Sequence, residues 1–174
     1  MVRPAKPDEL GRILEIYAAA RRYMAENGNP AQWGSSYPRR ELLEEDLRRG
    51  QLYVVTEGDK IHGAFVLALG EETTYAEMEN GAWEHDGPYG TIHRVAGDGT
   101  GKGVFAQCVA YCRGRMECLR IDTHERNGTM RHLIEKHGFA RRGVIHVEDG
   151  SPRIAYAVSY TNLRAHETLA NLVC

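Results

Sequence analysis

The stretch Arg94–Phe105, RVAGDGTGKGVF, sets Gly97, Gly99, Gly101 and Gly103 close together, with Lys102 among them. Ordering glycine is entropically unfavourable, so such a run implies a backbone requirement. An apolar, strand-like stretch precedes it and a helix-like stretch follows. A strand, a glycine turn and a helix start together make an anion site: free N–H groups at the helix N-terminus point outward, and glycine lets a phosphate approach. The P-loop pattern G-x-x-x-x-G-K-[S/T] fails here. Ala96 stands five before Gly101, and Gly103 follows Lys102, so no hydroxyl is offered to Mg²⁺. The dinucleotide pattern G-x-G-x-x-G/A fits literally at Gly101, Gly103 and Ala106, with Asp122 about 20 residues on as a ribose-binding acid would be. Against it, only a helix and a terminal hairpin follow Asp122, which leaves no room for further βαβ units.

The elements that must position this loop are readable from periodicity. MVRPA reads as a first strand. Pro7 suits a first helical position with Asp8 and Glu9 in the first turn, and Leu10, Ile13, Leu14 and Tyr17 follow at helical spacing. AQWGSSYP reads as a loop, and PRRELLEEDLRRG as a second helix stopped by Gly50. QLYVVTEGDKIHGAFVLALG is a hairpin turning at Glu57–Lys60, and EETTYAEMENGAWEHDGPYG an exposed polar and aromatic excursion. TIHRVAG is a strand entering the glycine loop. VFAQCVAYCRGRM is a helix with Val104, Cys108, Tyr111 and Cys112 on one face. LRIDTHE is a short strand, NGTMRHLIEKHGF a helix from Asn127 to a stop at Gly138, and ARRGVIHVEDGSPRIAYA a hairpin. The order β-α-α-β-β-β-α-β-α-β-β predicts an α+β fold around a largely antiparallel sheet.

Composition narrows the functional class. The chain has 174 residues, 42% hydrophobic and 26% charged, with a net charge of −2. This balance implies no broad pull toward nucleic acid or membrane. No apolar run approaches the roughly 20 residues of a membrane span, and the N-terminus lacks a signal-peptide h-region, so a cytoplasmic protein is expected. Cys108, Cys112, Cys118 and Cys174 show no paired zinc spacing and are expected to be reduced thiols, with no metal bound. The end of the chain, VSYTNLRAHETLANLVC, closely resembles a translated transposon-type sequencing adapter. The domain is therefore expected over residues 1–156, with 157–174 a non-native tail.

Two motifs together resemble the GNAT acetyltransferases, over Val2 to Tyr156. Their loop pattern Q/R-x-x-G-x-G/A lands on Thr100, Gly101, Lys102, Gly103, Val104 and Phe105. Thr100 departs at the Arg/Gln slot and Phe105 at the last small slot, and the loop reads about two residues short. The second signature is stronger: NGTMRHLIEKHGF is similar to the family's N-x-x-M-x-x-L-x-E-K-x-G-F helix, at Asn127, Met130, Leu133, Glu135, Lys136, Gly138 and Phe139.

The resemblance implies a sheet flanked by helices, with a V-shaped opening between strands 4 and 5, and acetyl-CoA as co-substrate. Val95 and Gly97 would offer backbone groups to the pantetheine arm, Thr100, Gly101, Lys102, Gly103 and Val104 would offer N–H groups to the pyrophosphate, and Asn127 would hold the pantetheine from the other side. An amine would attack the thioester directly. It arrives as ammonium, so a base must take a proton first; the candidates are His93 and Glu125, and His124, alternating with Glu125, is placed to enter the cleft instead. A backbone N–H near Val95 would stabilise the oxyanion. The family's tyrosine acid is replaced by Ile134, leaving water to protonate the thiolate. The first helices and their loop would shape the acceptor pocket through Tyr23, Asn29, Gln32 and Trp33, with Trp83 and Tyr89 closing over it and Glu77, Glu79 and Asp86 near a cationic amine. The expected partner is a small-molecule amine or an amino terminus, for a monomer or homodimer. Competing readings are a non-catalytic acyl-CoA binding or sensing module and a nucleotide-binding oxidoreductase fragment.

Overall fold

The computed structural model describes residues 1–161. Its elements in chain order are β1 (Val2–Pro4), a 3-10 turn (Pro7–Glu9), α1 (Leu10–Glu26), α2 (Arg40–Arg48), β2 (Leu52–Glu57), β3 (Lys60–Leu69), a second 3-10 turn (Thr73–Tyr75), β4 (Gly90–Gly97), α3 (Val104–Arg113), β5 (Cys118–Thr123), α4 (Gly128–Lys136), β6 (Ala140–His146) and β7 (Pro152–Ser159). This is the order read from periodicity. Local chemistry sets several boundaries. Glu9 caps the first turn through the Lys6 N–H and pairs with Arg3 at 2.6 Å. Asn127 Oδ1 accepts the Met130 N–H and starts α4. Gly138, at φ +84°, provides the left-handed residue that ends α4.

Among the described residues the strands form one sheet in the order β1-β2-β3-β4-β5-β7-β6. Neighbours are antiparallel except β4 and β5, which are parallel. The fold is the expected mixed α+β, largely antiparallel sheet. β3 is an interior strand covered on both faces, which leaves every residue from Ile61 to Leu67 buried. One face packs on α3 and α4 through Phe65, Ile92, Leu119, Ile121, Phe105, Cys108, Ile134 and Tyr156. On the other face, α1 and α2 cover β2 to β4 through Ile13, Ile16, Tyr17 and Leu43. The excursion between β3 and β4 covers the far half of that face through Tyr75, Met78 and Trp83 over Ile145 and Ala155. A bridge between Glu79 and Val144 ties the excursion to β6.

β7 continues past Tyr156 to Ser159, pairing Val158 with Leu119 and Ser159 with Cys118. Tyr160 is buried, and its N–H donates to Glu117 O at 2.9 Å. Residues 157–160 are thus held against β5 and the end of α3. The remainder of the adapter-like stretch, residues 162–174, lies outside the described residues. None of the described helices is long and apolar enough to cross a membrane.

Candidate active site

β4 and β5 are paired only at their first residues. Gly90, Thr91 and Ile92 face Leu119, Arg120 and Ile121, and no further pair joins these two strands. Beyond Ile92 the strands part, which is the V-shaped opening expected from the resemblance. β4 is also irregular against β3. Val66 faces His93 and Ala64 faces Ala96, so β4 carries one extra residue between those pairs. This bulge leaves Arg94 and Val95 without a partner on β3 or β5. Arg94 takes φ +52° there.

The glycine loop lies at the wide end of the split. Gly103 stands before α3 at φ +66° and gives it no side-chain cap, so the first turn of α3 has its N–H groups facing outward. The loop also lies close against its neighbours. A Cβ on Gly101 would fall 2.6 Å from His62 Cβ, and one on Gly63 would fall 2.5 Å from Val104 Cγ1. Thr100 is exposed but bonded back onto the loop. Its N–H and Oγ1 both donate to Asp98 Oδ1 at 2.8 Å, and His62 Nδ1 lies 2.6 Å from Oγ1. The Thr100 N–H is thus bonded to Asp98 within the loop. Burial pushes the Asp98 carboxyl upward, but the Thr100 bonds and the Arg12 ion pair outweigh it and hold the carboxyl below its ordinary range. Phe105 is buried against His137 (ring centroids 5.2 Å apart), so the large residue in the small slot serves the core beneath α3. Lys102 is exposed at the loop tip.

His93 lies on β4 just where the strands part. Its Nε2 is 3.1 Å from Glu72 Oε2, and Glu72 Oε1 accepts the N–H and Oγ1 of Thr74. The bond from His93 is the largest of the effects that hold the Glu72 carboxyl down at about 2, against the opposing effect of burial. Next to this pair, the Tyr75 hydroxyl donates to Asp122 Oδ2 at 2.7 Å. Burial, reinforced by Asp122, keeps the Tyr75 phenol protonated far into the alkaline range. Glu72, Tyr75, His93 and Asp122 thus form one polar group that bridges the excursion, β4 and β5. Glu77, Glu79 and Asp86, the acids expected near a cationic amine, are exposed, and Glu72 and Asp122 are the half-buried carboxylates instead. Glu125 is exposed on the loop after β5, with its backbone carbonyl accepting from Arg131. His124 is half-buried; burial first, then the Arg153 charge, lowers its imidazole below the usual range.

The loop after α1 reaches across the opening. Gln32 Oε1 accepts from Asn127 Nδ2 at 3.0 Å and from Asn29 Nδ2 at 2.8 Å, and its backbone carbonyl accepts from Arg153 at 3.4 Å. Tyr23 OH lies 3.0 Å from Thr129 Oγ1, joining the end of α1 to the start of α4. Trp33 stacks edge-on against Tyr17 at 5.7 Å. Trp83 packs on Tyr75 and lies under the Arg120 guanidinium, 4.0 Å from its ring centroid. The literal dinucleotide match at Gly101, Gly103 and Ala106 sits in a sheet with a single parallel pair, and Asp122 is bonded to Tyr75. A dinucleotide fold needs a run of parallel strands, which the described residues do not have.

Comparison with solved structures gives a consistent answer. A GNAT-family acetyltransferase from Streptococcus agalactiae is similar at 30% identity and TM-score 0.82, covering 91% of this chain and 94% of that one. A GNAT-family acetyltransferase from Listeria monocytogenes shares the fold at 19% identity and TM-score 0.67, covering 91% and 94%. An aminoglycoside N(6')-acetyltransferase from Legionella pneumophila shares it at 15% identity and TM-score 0.68, covering 95% of each chain. A scan against protein-family models and a search of curated proteins gave no match. With a split β4–β5 pair, an uncapped glycine-led α3 and the first of these relatives, the chain belongs to the GNAT acetyltransferase family.

Proposed function

We propose that the protein is an N-acetyltransferase that moves an acetyl group from acetyl-CoA to a primary amine of a small molecule or an amino terminus by direct attack. The observation that carries this reading is the His93–Glu72 pair, 3.1 Å apart, at the point where β4 leaves β5. With His93 Nε2 donating to the Glu72 carboxylate, Nδ1 is the ring nitrogen left to accept a proton from an incoming ammonium. The carboxylate then stabilises the imidazolium that forms. Asp122 and Glu72 supply negative charge beside it, which favours a cationic acceptor.

The residues fit the coenzyme. The close glycine packing at Gly63 and Gly101 lets the backbone lie where side chains would intrude. The N–H groups of Gly101, Lys102, Gly103 and Val104 would hold the pyrophosphate at the α3 N-terminus. Val95 and Gly97 would offer backbone groups to the pantetheine arm. Asn127 has its Oδ1 and one Nδ2 hydrogen engaged, leaving one amide hydrogen for it. When bound, the coenzyme supplies an activated thioester. Thermal-shift measurements test this reading: acetyl-CoA raises the melting temperature in a saturable manner, whereas stabilisation by nicotinamide dinucleotides alone defeats it.

One observation favours a second reading. Ile134 occupies the family's tyrosine position and is fully buried in the core, so α4 offers no hydroxyl there for the leaving thiolate. A non-catalytic acyl-CoA sensing module is consistent with that. The His93–Glu72 pair favours the enzyme, with water protonating the thiolate.

A further inference from the structure

The bulge in β4 is held from outside the strand. Arg94 has a long side chain at φ +52°, a conformation unfavourable for residues other than glycine by about 1 kcal/mol or more. Such a conformation persists only where its surroundings fix it. Here Arg94 Nη2 donates to both carboxylate oxygens of Asp46, at 2.9 and 2.8 Å, and Nη1 donates to Tyr37 OH at 3.1 Å. Asp46 projects from α2 and is 1% exposed. Gln51 Nε2 donates to Asp46 Oδ1 at 2.8 Å and fixes it in turn. From α1, the Tyr17 hydroxyl donates to the Arg94 carbonyl at 2.7 Å. Both helices on this face therefore converge on one backbone residue, and on the residue that takes β4 out of register.

A simple staple between helix and sheet does not need a left-handed arginine or a buried ion pair. A buried ion pair is weak support for stability, because desolvation offsets much of the attraction; its better-attested use is to fix one geometry. What this geometry fixes is the peptide after Arg94. Val95 stands in the bulge with no register partner on either side, at the mouth of the split, two residues beyond His93.

We propose that Arg94, Asp46 and Tyr17 are positioning residues that lock the β4 bulge so that the Val95 N–H faces the carbonyl oxygen of the bound thioester. The proposal rests on the acetyl-transfer reading above. It assigns to residues of α1 and α2 an effect on polarisation of the reacting carbonyl, separate from coenzyme affinity. A directed backbone donor of this kind is worth on the order of 10²- to 10³-fold in rate, so a partly released bulge is expected to lose about 10-fold or more.

The test uses the full chain with acetyl-CoA labelled with carbon-13 at the thioester carbonyl. Difference infrared spectra are recorded for wild type, Tyr17→Phe, Asp46→Asn and Arg94→Gly, with coenzyme affinity measured by calorimetry. Arg94→Gly guards against misfolding, since glycine takes φ +52° readily while losing the clamp. The expected result is a carbonyl stretch shifted to lower frequency in the wild-type complex, with the shift reduced in each variant that still binds the coenzyme. Variants that bind and keep the full shift overturn the proposal and leave the function standing. A wild-type complex with no shift also overturns it. Failure of wild type to bind acetyl-CoA sinks the functional reading, and the proposal falls with it.

Discussion

Glu72 Oε2 and His93 Nε2 lie 3.1 Å apart across the boundary between the excursion and β4. The excursion is thereby tied to the strand that splits from β5, and a carboxylate stands behind the one histidine of β4. Removing the charge alone tests the pair. We predict that Glu72→Gln lowers kcat about 10-fold or more with coenzyme binding little changed, and that His93→Ala lowers it by about 10²- to 10⁴-fold. Unchanged turnover in His93→Ala reduces that residue to a structural one.

The same pair has a pH signature in stability. The Glu72 carboxyl is held at about 2 in the folded chain, against about 4.3 when unfolded. Between those values the unfolded state binds the proton more readily, so stability rises with pH. The contribution is present in full above about pH 4.3 and is lost as pH falls toward 2. Glu72→Gln has no such titration, so its melting temperature declines less steeply over that window. Parallel melting curves for the two proteins exclude the ion-paired state of Glu72.

Gly101 and Gly63 are required for space. Gly101→Ala sets a Cβ 2.6 Å from His62 Cβ and 2.7 Å from Cγ, atoms close to the backbone that cannot swing away. The loop must shift, at about 1–3 kcal/mol, and we predict coenzyme affinity weakened about 10-fold or more, a loss of about 1.4 kcal/mol or more. Gly63→Ala, at 2.5 Å from Val104 Cγ1, displaces the start of α3 in the same way. Gly87→Ala is the control, since nothing lies within 4 Å of its Cβ. Calorimetric titration with acetyl-CoA reads all three, and equal affinities would falsify the fitted-loop account.

Gln32 ties the acceptor loop to α4. Gln32→Leu leaves the Asn127 and Asn29 amides without their acceptor, and both residues are buried. Each unsatisfied donor costs about 1–3 kcal/mol. We predict a lower melting temperature and a raised KM for the amine, with Gln32→Glu, which keeps an acceptor oxygen, restoring most of both. A Leu variant with wild-type melting and KM removes Gln32 from the acceptor side.

Much of the fold was legible because its signals are local. The helical spacing of Leu10, Ile13 and Tyr17, the Asn127 cap and the Gly138 stop each act within a turn or so of chain. The site was legible only in part. Glu72 sits in a polar stretch without periodicity and meets His93 across 21 positions, and Arg94 meets Asp46 across 48. Neither pairing leaves a trace in sequence spacing. The bulge that gives Arg94 its role is set by register against β3, which sequence periodicity does not reveal. The exposed acids Glu77, Glu79 and Asp86 stand out by charge alone, whereas the spacing of Asp122 suits a ribose role that a sheet with a single parallel pair rules out.

Acetyl transfer to an amine is tested most directly by following free-thiol release from acetyl-CoA with the full chain over a panel of primary amines. We predict release that depends on both protein and amine and saturates in each. Saturable acetyl-CoA binding with no thiol release on any amine would contradict this and identify the protein as an acyl-CoA sensing module.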